Sequence, residues 1–108
     1  MAWTYLILAG VFELGWPIGI KFAWKDGQFY LIPAILALLS MWASGGFLYL
    51  AQRDIPVGTA YAVWTGIGAV GTFVLGVIIL GEVANLMRVV SVMFIIFGVI
   101  GLKLATSS

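Results

Sequence analysis

Cysteine and histidine are both missing from the 108 residues, and only 8% of the residues are charged. Without cysteine there is no disulfide and no thiolate. Without histidine as well, the usual zinc and haem ligand sets are excluded, and so are histidine-based nucleophile–base pairs. No glycine-rich loop ends in Lys-Ser or Lys-Thr, so no phosphate cradle is encoded. These absences argue against an enzyme and give no reason to expect a cofactor or a metal. Five basic side chains face four acidic ones, for a net charge of +1. With no basic tract among them, a nucleic-acid partner is not expected.

What fills the chain instead is apolar: 64% of residues are hydrophobic and the mean hydropathy is +1.20. A spanning helix takes about 20 apolar residues, so four of them occupy nearly the whole length and leave no room for a soluble domain. The expected architecture is an all-α integral membrane protein with four transmembrane helices and residues 1–108 as one transmembrane domain. The lipid bilayer is its first partner. The first apolar run does not read as a signal peptide, because it lacks a basic start and carries a glutamate in its middle. The spans are expected at about Trp3–Lys21, Leu31–Ala51, Val57–Leu80 and Leu86–Leu104. Turns fall at Asp26-Gly27-Gln28, Gln52–Pro56 and Glu82–Asn85, with a tail from Ala105 to Ser108. Pro33 sits in a first helical turn, where its missing N–H does no harm. Asn85 is placed to cap the last helix.

Four spans put both termini on one side. Arg53 and Lys103 fall on that side, and Lys21, Lys25 and Arg88 on the other, two against three. That difference is too small for the positive-inside rule to choose an orientation. One reading is that other features choose it; the other is that the chain inserts both ways round. Many transporters work between inverted repeats around a midplane site. This chain is too short to hold two repeats and shows no internal repetition. Two copies in opposite orientations would supply the pair, so an antiparallel, dual-topology homodimer is expected.

The run from Trp3 to Ile20 carries one charged residue, Glu13. A charge at membrane depth costs roughly 2.5–3.5 kcal/mol on insertion scales. The basic residues lie at the ends of the spans or in loops, none at membrane depth to offset it, so a cation cargo or a proton becomes the expected partner. Gly10, Glu13 and Pro17 share a helix face, with Trp16 beside them. Gly10 either leaves room beside the carboxylate or lets another helix approach. Pro17 removes the helical bond to the Glu13 carbonyl and softens the backbone, as a static kink or a hinge. In the third span Tyr61, Trp64 and Gly68 share a face. The two aromatics lie inside the span and offer polar tips and π faces to a carboxylate or a cation. Gly66, Gly68 and Gly71 mark a possible kink. Ser40 and Ser44 in the second span are weaker candidates to bond the carboxylate. The small residues of the fourth span suggest packing, plausibly against a second copy.

Several of these motifs together resemble the small multidrug resistance family over essentially the whole chain. They are Gly10-x-x-Glu13, Pro56-x-Gly58-Thr59-Ala60-Tyr61-Ala62-x-Trp64, Gly66-Ile67-Gly68 and Gly101-Leu102-Lys103. Trp16 and Trp64-Thr65-Gly66-Ile67-Gly68-Ala69 look like the guanidinium-exporter subtype; Pro17 departs from it, since that position is usually small and not proline. The resemblance implies a multi-pass protein of a bacterial-type inner (plasma) membrane, exchanging protons for a guanidinium-type cation. It places the substrate and proton site at Gly10, Glu13, Trp16, Ser44, Tyr61 and Trp64; the helix chemistry read above, and not the resemblance, marks Pro17, Gly66 and Gly68 as hinge or packing positions. A broader quaternary-ammonium exporter, or one subunit of a heterodimeric exporter, is the alternative.

Overall fold

In hydrocarbon a backbone must satisfy its own hydrogen bonds, and the long apolar runs do so as helices. The computed structural model describes residues 1–106, and Ser107 and Ser108, the end of the expected tail, lie outside the described residues. The first span is α1 (Ala2–Glu13) followed by α2 (Gly15–Ala23). The others are α3 (Leu31–Gln52), α4 (Val57–Leu80) and α5 (Leu86–Ala105). All four spans are long and apolar enough to cross a membrane. Local chemistry sets the ends. Pro33 falls in the first turn of α3. Gly81 ends α4 in the left-handed conformation, at φ 69°. The Arg88 N–H donates to Asn85 Oδ1 at 2.9 Å, so Asn85 caps α5 as expected.

Two features of the first half differ from the expectation. The ladder of the first span is interrupted at Leu14, which keeps right-handed helical angles (φ −66°, ψ −30°) but whose N–H bonds three residues back to the Val11 carbonyl at 3.1 Å. Pro17 is the cause, since it lacks the N–H that would bond Glu13 and its ring crowds the preceding turn. The expected turn at Asp26-Gly27-Gln28 is the tip of a small hairpin, in which β1 (Trp24–Lys25) pairs antiparallel with β2 (Gln28–Phe29). Asp26 (φ 56°) and Gly27 (φ 75°) both have positive φ, which Asp-Gly supplies in a two-residue hairpin turn. Trp24 and Phe29 pair directly across it, with ring centroids 5.1 Å apart.

The spans form a thin slab, 48 × 34 × 17 Å along its principal axes. The bundle is open on its faces: large apolar side chains such as Ile32, Trp42, Ile78 and Phe94 are exposed. α3 packs along α1 and α2, and α4 packs against α1. The best-buried cluster, Leu6, Ala51, Ile55, Ala60 and Val63, pins α1, the end of α3 and the start of α4 together. α5 packs chiefly on α4 and has no buried residue. At its far end Lys103 Nζ lies 4.8 Å from the Trp3 ring centroid, a cation–π contact at the interface.

Candidate functional site

Glu13 is the last residue of α1 and half-buried. Its side chain lies across Gly68 of α4: a Cβ added at Gly68 would stand 2.6 Å from Glu13 Cγ and 3.4 Å from its Cβ. Gly68 is therefore the notch that admits the glutamate. α4 runs as one helix from Val57 to Leu80. Each glycine of the Gly66–Gly71 stretch is a close approach. A Cβ at Gly66 would meet Val99 of α5 at 2.6 Å, and one at Gly71 would run into Leu14. Gly10 acts likewise: it is buried, and its missing Cβ leaves room for Ile67, whose Cγ2 would be 2.5 Å away. Of the two roles considered for Gly10, the geometry favours helix approach.

Beside Glu13 opens a cavity of about 380 Å³ lined by Glu13, Trp16, Met41, Gly45, Tyr61, Trp64 and Thr65. Its lining holds one carboxylate, three aromatic rings and no basic group. Tyr61 is 57% exposed and meets Trp64 edge-on, with centroids 5.3 Å apart and planes at 61°. The Thr65 hydroxyl donates back to its own helix, to the Tyr61 carbonyl at 2.9 Å and to that of Ala62 at 3.2 Å. Sequence reasoning did not pick Thr65, Met41 and Gly45 as site residues. Their signal was helical spacing: Thr65 is four residues after Tyr61, and Gly45 is four after Met41, beside Ser44.

The hydrogen bonds differ from those expected. The Trp64 indole N–H donates to Ser44 Oγ at 2.7 Å, and the Ser44 hydroxyl donates to the Ala9 carbonyl, also at 2.7 Å. Ser44 is fully buried. Its only proton and the only indole proton of Trp64 are spent on this relay across α4, α3 and α1, so neither is aimed at the carboxylate. The relay fixes the wall of the cavity. Ser40 faces away from it: its hydroxyl lies where a Gly15 side chain would be, in a separate groove of about 630 Å³ walled by residues such as Leu14, Ile18 and Leu36. That groove is larger, but it carries no charged side chain. The smaller cavity is the one that holds Glu13.

Four apolar spans with the Glu13 cavity between them define a small multi-pass membrane transporter rather than an enzyme. A family model described as Small Multidrug Resistance protein matches residues 1–95, and the chain belongs to that family. Similar proteins named Guanidinium exporter occur in bacteria. That of Yersinia pseudotuberculosis serotype I (strain IP32953) is 51% identical over 106 residues, covering 98% of this chain and 100% of its own. That of Proteus vulgaris is 47% identical, with 98% and 100% covered. That of Escherichia coli (strain K12) is 46% identical, with 98% and 99% covered. The chain is accordingly a multi-pass protein of the bacterial inner membrane.

Proposed function

We propose that this chain is a proton-coupled antiporter that exports guanidinium or small substituted guanidinium cations, with Glu13 carrying either the proton or the cargo. The observation that carries this reading is the cavity itself, with one carboxylate, three aromatic walls and no basic lining group. The names of the relatives support the choice of cation.

Guanidinium is planar and presents paired N–H donors that match a carboxylate bidentately. The faces of Trp16, Tyr61 and Trp64 attract a cation through the ring quadrupole. A carboxylate that holds a proton cannot hold the cation, and the reverse. If only a loaded site changes sides, that competition couples the two flows. The working unit in this proposal is two copies in opposite orientations, which brings two Glu13 carboxylates to one shared site. The open slab and the unburied α5 leave faces for the second copy to cover.

Purified protein in vesicles tests the reading directly. Wild-type vesicles should take up guanidinium against a pH gradient, with apparent affinity weakening as the pH falls and protons compete. Glu13→Gln should abolish both uptake and its pH dependence. Gradient-driven uptake retained in Glu13→Gln would refute the mechanism. A wild type that moves benzalkonium-type cations but not guanidinium would favour the quaternary-ammonium alternative.

A further inference from the structure

We propose that Pro17 sharpens the cation preference of the site by leaving the Glu13 backbone carbonyl free as a third acceptor beside the two carboxylate oxygens. This rests on the proposed guanidinium cargo. Three observations point to it. α1 ends on Glu13 itself, and α2 starts at Gly15. The N–H four residues on, which would close the Glu13 carbonyl in a continuous helix, belongs to a proline and does not exist. Trp16, in the turn toward which that carbonyl points, lines the same cavity as Glu13.

Pro17 is the third residue of α2, within its first turn, where a missing N–H costs α2 nothing. The whole cost falls on the Glu13 carbonyl. Inside a bilayer such a group is tolerated where it lines a cavity or finds a donor. The C-terminal end of a half-helix also carries partial negative charge, and discontinuous membrane helices use such ends to hold cations. Guanidinium carries more N–H donors than a carboxylate can accept. A surplus N–H directed at the Glu13 carbonyl would satisfy both groups at once. A quaternary ammonium has no N–H and gains nothing from the free carbonyl. Pro17 is thus a positioning residue: it touches no cargo, and it acts through the carbonyl that it leaves open.

Pro17→Ala and Pro17→Val both restore the N–H but differ in bulk. Binding can be followed in detergent by the fluorescence of Trp16 and Trp64, with guanidinium and with tetraethylammonium as probes. Both variants should lose guanidinium affinity by about tenfold or more, the size of one hydrogen bond from a charged donor. The loss should be equal in the two, and tetraethylammonium should bind as it does to the wild type. A loss that follows side-chain size, a parallel loss for both cations, or no loss would overturn the inference. The Ala–Val comparison decides the matter even if the wild type takes no tetraethylammonium. A wild type that takes no guanidinium would sink the exporter reading and this inference with it; a normal wild type with unchanged variants would remove only the role of the carbonyl.

Discussion

At the scale of single residues, the site is built around protons already committed. Ser44 accepts from Trp64 and donates to the Ala9 carbonyl, so removing its hydroxyl orphans the Trp64 indole N–H, while the Ala9 carbonyl keeps its helical bond within α1. Leaving buried polar groups unpaired costs about 1–3 kcal/mol each. Ser44→Ala should therefore lower the thermal unfolding temperature in detergent and blur cation binding as the Trp64 ring loses its anchor. An unfolding temperature unchanged from wild type would show that water replaces the hydroxyl. Glu13 was legible in the sequence because a lone carboxylate in an apolar run has no bland explanation. The relay was not, because composition cannot say which of several partners takes a single indole proton. Ser44 and Trp64 were placed at the site, yet the direction of their bonds depends on how three helices meet.

At the scale of elements, the glycines at Gly10, Gly66, Gly68 and Gly71 make close contacts between helices. Gly68 holds the Glu13 side chain where any Cβ would displace it. Gly68→Ala should leave the four spans folded while guanidinium transport falls about tenfold, the worth of one weakened charge-assisted hydrogen bond. Gly58→Ala, with nothing within 4 Å of its added methyl, is the matched control and should transport as wild type. Equal transport by both would remove Gly68 from the site. The spans themselves could be read to within a few residues, because apolar length and the turn residues at Gly81 and Asn85 are local signals. The break at Leu14 was visible only as a soft place near Pro17. The hairpin from Trp24 to Phe29 was read as a bare turn, since two-residue strands are too short to show alternation.

At the scale of the whole molecule, one copy is a slab 17 Å thick whose fourth span has no buried residue. The balance of basic residues, two against three, leaves its orientation open. The absence of native cysteine makes this testable with a single label. Asp54→Cys places one thiol in the exposed loop between α3 and α4. A membrane-impermeant maleimide should label about half of it from each side of sealed vesicles if the chain inserts both ways. Labelling from one side alone would end the antiparallel-dimer proposal.

The relay from Trp64 through Ser44 to Ala9 has a mechanical consequence. It bolts α4 and α3 to α1 just before the ladder of the first span loses a rung. Everything up to Glu13 is then clamped to its neighbours, whereas α2 is held by lying along α3. Strain on the first span is felt first at the missing rung, one residue past the carboxylate.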